Sequence, residues 1–251
     1  MNADGEITRA PGNNPETPQG TPRGIDHGPV FNLPMFIKIL VGLLILIHLA
    51  RQFVAGTDVA NWLILSFAFI PARYSDLSAL LPVPLAAIWS PLTYSLLHAD
   101  WTHLLLNILW LVAFGSPVAQ RLGWKRVLIL ACLTSMGGAV VHYLSYPGEM
   151  VPMIGASAID SGYMGAAARF AFNRTSPNRL NVHGPALSIQ ASFANPQFLA
   201  FVLVWFGLNF LFGSGLVPLA GEDVNIAWQA HVGGFLVGLL AFSFLDTKRT
   251  R

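Results

Sequence analysis

Six stretches of this chain come near the length and apolarity needed to cross a lipid bilayer, and that limits what it can become. They fall at 35–54, 101–120, 125–146, 155–172, 197–215 and 226–245. A helix needs about 20 mostly apolar residues to span the hydrocarbon. Only 10% of the 251 residues are charged, against about 25% in a soluble domain. The chain therefore reads as an all-α integral membrane protein with six transmembrane helices. The segment 61–71 is apolar but too short to span. With Trp62, Trp89 and Tyr94 nearby, it reads as a loop lying in the interface, where such rings settle.

The flanks are different. Residues 1–32 hold Pro11, Pro15, Pro18, Pro22 and Pro29 and almost no large apolar side chains. Such a segment cannot bury enough surface to fold, and it reads as a disordered cytoplasmic tail. It is also too polar for a signal peptide. The membrane domain is expected over 33–246, with a short basic cytoplasmic tail at 247–251. Basic residues set the direction of the spans. Arg9, Arg23 and Lys38, then Arg121, Lys125 and Arg126, then Arg169, Arg174 and Arg179, and finally Lys248, Arg249 and Arg251 mark one side. The connections 147–154 and 216–225 carry none, and only the first loop, with Arg51 and Arg73, breaks the pattern. Both termini are expected in the cytoplasm. The formal charge of +2 is too small to suggest a nucleic-acid partner, and the single cysteine, Cys132, excludes an internal disulfide.

Polar side chains inside spans are costly and mark function by default. Ser157 opens the fourth span, which is thin, with Gly155, Gly162, Gly165 and a run of alanines. Small residues let backbones approach closely, so this helix is expected to be central. His231 lies in the sixth span on one face with Gly234 and Gly238. Pressing that smooth face on the fourth span would bring His231 to Ser157. His98, His103 and Asn107 lie just before and within the outer part of the second span, at similar depth on the non-cytoplasmic side. A shallow, water-filled cavity would account for all of them.

The chemistry of such a cluster is acyl transfer. A serine hydroxyl becomes a nucleophile when a neutral histidine takes its proton. Backbone N–H groups at a helix start favour the oxyanion that forms. His103 and Asn107, four residues apart on one face, could add side-chain donors. His98 need not share that face and is expected to line the cavity mouth or brace the loop.

Three segments carry a family resemblance. They are His98-Ala99-Asp100-Trp101-Thr102-His103-Leu104-Leu105-Leu106-Asn107, Gly155-Ala156-Ser157, and Ala230-His231-Val232-Gly233-Gly234-Phe235-Leu236-Val237-Gly238. Together they resemble the signature segments of the rhomboid intramembrane serine proteases of bacterial type, over about 35–245. The resemblance implies a six-helix rhomboid-like bundle and a Ser157–His231 dyad without an acidic third member. It implies an oxyanion hole from the Ser157 backbone N–H, His103 and Asn107. It further implies single-pass membrane proteins as substrates, a place in the cell inner membrane, and no cofactor or metal. Three positions depart from the family pattern. Ala158 stands where glycine usually follows the nucleophile, Ser90 follows Trp89 where arginine is common, and Ser161 stands where some members have a tyrosine stacked on the base.

Asp160, three residues after Ser157, could bond His231, though a water-exposed or backbone-bonded aspartate is the expectation. Two other functions fit parts of the pattern. One is an inactive rhomboid-like protein that binds membrane helices. The other is a metal-dependent hydrolase or transporter using His98, His103, His231 and Asp160, which leaves Gly155-Ala156-Ser157 unexplained.

Overall fold

The computed structural model describes residues 33–54, 56–173, 182–214 and 227–247. Expectations for the tail 1–32, Arg174 and Arg179, the loop 216–225, and Lys248, Arg249 and Arg251 fall outside these residues. The helices are α1 (Met35–Leu49), α2 (Thr57–Phe67), α3 (Ala86–Thr93), α4 (Trp101–Trp110), α5 (Ser116–Leu122), α6 (Trp124–Ser145), α7 (Ser157–Ala171), α8 (Ile189–Phe193), α9 (Pro196–Gly213) and α10 (Trp228–Leu245). A π turn at Leu111–Gly115 joins α4 to α5 without breaking the rod. Among the described residues, five helical stretches are long and apolar enough to cross a membrane: Met35–Phe53, Trp101–Leu122, Trp124–Ser145, Pro196–Gly213 and Trp228–Leu245.

The predicted fourth span, α7, does not reach that length. Its 15 residues extend about 22 Å at 1.5 Å per residue, short of a hydrocarbon core about 30 Å thick. It is instead surrounded by protein, and every residue from Ala158 to Phe170 is buried. Small residues make this possible. A Cβ on Gly238 of α10 would overlap the Gly162 carbonyl, and one on Gly234 would overlap the Ala158 carbonyl. From the other side, Thr134 of α6 sits directly on Gly162. Neighbouring backbones thus touch where side chains are missing.

The first loop is largely helical, where the sequence pointed to a loop over 61–71. Residues 61–67 continue α2, and 3₁₀ turns over Pro71–Tyr74 and Asp76–Leu80 lead on toward α3. Cross-links hold this assembly together. Trp89 Nε1 donates to the Ser66 carbonyl at 3.0 Å and Thr93 Oγ1 to that of Phe67 at 2.9 Å. The two cations that broke the charge pattern are structural here. Arg73 donates to the carbonyls of Leu65, Pro82 and Val83, and Arg51 to those of His98 and Ala99. The loop thus has its own arginine, although Ser90 stands after Trp89.

At the opposite end, Arg121 is buried and paired with Asp246 at 2.8 Å. It also donates to the carbonyls of Val182 and Gly184, both at 2.8 Å. Arg169 donates to those of Leu187 and Leu239, and to Ser243. These two residues, read from sequence as charges that mark one side of the membrane, are ties between α5, α7 and α10.

Candidate active site

The start of α4 is fixed by its cap. Asp100 accepts the His103 N–H at 2.8 Å, satisfying a donor that a helix start leaves orphaned. This places His103 in the first turn and buried Asn107 one turn on. The His103 ring has a readable tautomer. Its Nδ1 accepts the Ala99 N–H at 3.4 Å, so the proton sits on Nε2. That nitrogen lies over Gly155, where a Cβ would meet it at 2.6 Å. Asn107 Nδ2 donates to the His103 carbonyl at 2.7 Å.

The segment before α7 is threaded through three anchors. Met153 exchanges two backbone hydrogen bonds with Phe69, at 2.8 and 3.1 Å. The Gly155 N–H donates to the Tyr94 carbonyl at 3.0 Å. The Ala156 N–H donates to His98 Nε2 at 3.4 Å. Gly155 has φ of 119°, a region closed to side-chain-bearing residues, and its missing Cβ also makes room for the His103 ring. The chain then turns into α7 with half-buried Ser157 as its first residue.

His98 is nearly inaccessible (1% exposed). Burial holds its imidazole down at about 3, reinforced by His103, His48 and Arg51. It is therefore neutral near pH 7 and can accept the Ala156 N–H. Its carbonyl receives Arg51. His98 braces the loop, one of the two roles open to it from sequence.

α7 and α10 run parallel, and their contacts fix the register. Gly234 rests on Ala158 and Gly238 on Gly162. Ser157 is one residue before the first contact and half-buried His231 is three before it, so both stand at the same end of the helix pair. The structure thus gathers His98, His103, Asn107, Gly155 and Ser157 around one loop, with His231, Gly234 and Gly238 on the helix beside it.

Asp160 does not join them. It is 2% exposed and neither carboxylate oxygen has a hydrogen-bond partner. It is neither bonded to His231 nor exposed to water, because α7 is enclosed even at its first turn. His142 stands apart from the cluster as well. It is buried, with Nε2 at 3.1 Å from the Val151 carbonyl.

Two residues were missed from sequence. Asn209 of α9 places Oδ1 2.5 Å from His231 Nδ1. An amide in the middle of an apolar span was the signal that could have found it. Gly138 of α6 receives the methyl of Ala158, since a Cβ there would stand 2.6 Å from it. Among the described residues, no three His, Cys, Asp or Glu side chains converge as ligands of a metal ion.

Residues 86–247 match the Rhomboid domain family. The chain belongs to the rhomboid family. Its relatives include the rhomboid protease GlpG of Haemophilus influenzae, 28% identical over 212 residues, covering 84% of this chain and 90% of that one. GlpG of an Enterobacter species is 28% identical over 167 residues, covering 65% of this chain and half of its own length. An uncharacterized Mycobacterium tuberculosis protein is 21% identical over 210 residues, 80% of this chain and 79% of its own. As a rhomboid, the chain is an integral membrane protein and an intramembrane serine protease by class.

Proposed function

We propose that Ser157 and His231 form the catalytic dyad of this rhomboid. Ser157 Oγ attacks the scissile carbonyl while His231 Nε2 takes the hydroxyl proton. The negative charge passes to the carbonyl oxygen. The Ser157 N–H, unpaired at the start of α7, meets it. His103 Nε2–H and the second amide N–H of Asn107 complete the oxyanion hole. Collapse expels the amine, which receives the proton from His231. Water then repeats the cycle in reverse and frees the acid.

The observation that carries this reading is the glycine-to-backbone register of α7 and α10, which sets hydroxyl and imidazole at one end of the pair beside His103. The substrates are single-pass membrane proteins, cut in or near a transmembrane helix. α7 counts as the sixth span, a short one enclosed by the other five. Both termini are cytoplasmic, and the site opens to the opposite side of the cell inner membrane.

The test is cleavage of a reconstituted transmembrane substrate by wild type, Ser157→Ala and His231→Ala. Both variants are expected to be inactive, and a fluorophosphonate should label wild type at Ser157. Wild-type cleavage by either variant overturns the dyad.

A further inference from the structure

A general base needs its lone pair on the nitrogen that faces the nucleophile, and imidazole has two tautomers. The family resemblance offers no residue here to choose between them, since Ser161 stands where a stacking tyrosine is found elsewhere. Asp160 does not choose, having no partner. Asn209 does. Its Nδ2 donates to the Trp205 carbonyl at 2.8 Å, which turns Oδ1 toward the ring. Flipping the amide would set two oxygens against each other at that distance. An amide oxygen only accepts, so His231 Nδ1 carries the proton and Nε2 holds the lone pair.

The amide is held as firmly as the ring. α9 lies antiparallel on α10, and three contacts share one register. Trp205 stacks on Phe235 with centroids 4.9 Å apart, Asn209 meets His231, and Phe210 meets Trp228 edge-on at 5.6 Å. Phe235 is buried one turn beyond His231. The choice of an amide also has a physical reason. It orients the ring without a buried anion, which a site inside a membrane could keep charged only at high cost.

We propose that Asn209 is the positioning residue of His231, holding its ring with the proton on Nδ1 and the lone pair on Nε2. The proposal rests on the reading of His231 as the base. The experiment compares wild type, Asn209→Leu, Asn209→Asp, Ser157→Ala and His231→Ala in the full-length protein with a transmembrane substrate. Asn209→Leu keeps the size and removes the acceptor. Its kcat should fall about tenfold to a hundredfold, a loss of orientation rather than of a reacting group. Its KM should stay within about twofold. Asn209→Asp, protonated in this apolar setting and so able to donate to the Trp205 carbonyl, restores the acceptor and should recover most of that loss. Nitrogen-15 spectra of the His231 ring should show Nδ1 protonated in wild type and a rise of the Nε2–H tautomer in Asn209→Leu.

Wild-type kcat in Asn209→Leu, with Ser157→Ala and His231→Ala both dead, overturns the proposal and leaves the dyad standing. An active His231→Ala removes the base itself and the proposal with it. Should Asn209→Leu not fold, the wild-type spectrum decides: a proton on Nε2 overturns the assignment.

Discussion

Gly234 lies directly against the backbone carbonyl of Ala158, the residue after the candidate nucleophile. Gly238 repeats that contact against Gly162 one turn further on. Alignment of the two chemical groups therefore depends on atoms that are absent. Gly234→Ala and Gly238→Ala are each expected to push α10 off α7. A misplacement of about 1 Å costs on the order of a hundredfold in rate. The check is kcat/KM alongside thermal unfolding in detergent. Wild-type activity in Gly238→Ala, whose site is well away from Ser157, would show that the register does not matter.

The family departure at Ala158 is accommodated by α6. Its methyl occupies space left by Gly138, beside the Tyr94 hydroxyl, which would lie 2.7 Å from a Cβ at that position. Gly138→Ala should impair the enzyme, whereas Ala158→Gly should stay within about threefold of wild type. The double variant should recover part of the loss, giving a coupling of roughly 0.5–3 kcal/mol as residues in contact do. Strict additivity in a double-mutant cycle would refute the contact.

Asp160 is a buried acid without a partner. Its replacement should cost little chemistry, and Asp160→Asn is expected to lower activity less than tenfold. Removing an unsatisfied buried group relieves a penalty of about 1–3 kcal/mol, so Asp160→Ala should raise the unfolding temperature. A loss as deep as that of Ser157→Ala would give Asp160 a catalytic part.

His98 carries a pH signature. Its folded form titrates at about 3, against an ordinary 6.5. Below pH 6.5 the unfolded chain takes up a proton that the folded chain refuses, so unfolding is favoured as pH falls. This contribution to stability is whole above pH 6.5 and is lost progressively down to pH 3. His98→Asn removes it. Unfolding temperatures measured from pH 7 to pH 4 should fall less steeply in that variant than in wild type. Parallel slopes would show that His98 titrates normally.

What could be read from sequence, and what could not, divides along physical lines. Apolar length is a local property, so Met35–Phe53, Trp101–Leu122, Trp124–Ser145, Pro196–Gly213 and Trp228–Leu245 were all visible in advance. The glycine spacing around Gly234 and Gly238 was also local, and it pointed to the right neighbour. α2 is not legible in 61–71, because a segment too short to span can still be a helix, and an eleven-residue helix needs no such length. The burial of Asp160 is not legible in sequence because a polar letter does not report its depth. Near a helix start it would ordinarily meet water, but here the other helices close over the first turn. The role of Arg51 was hidden for a similar reason, since its acceptors lie 47 and 48 residues away. Asn209 and His231 are 22 residues apart on antiparallel helices, and only the packing of Trp205 on Phe235 sets their meeting.

The helix that supplies this amide is also the one with the smallest stake in the interior, since Phe198 is its one buried residue among those described. A hydrogen bond of 2.5 Å does not survive a shift of an ångström or two. On the role proposed for Asn209, whatever prises α9 aside would disarm the imidazole in the same stroke, leaving a blade that cuts only while its sheath is shut.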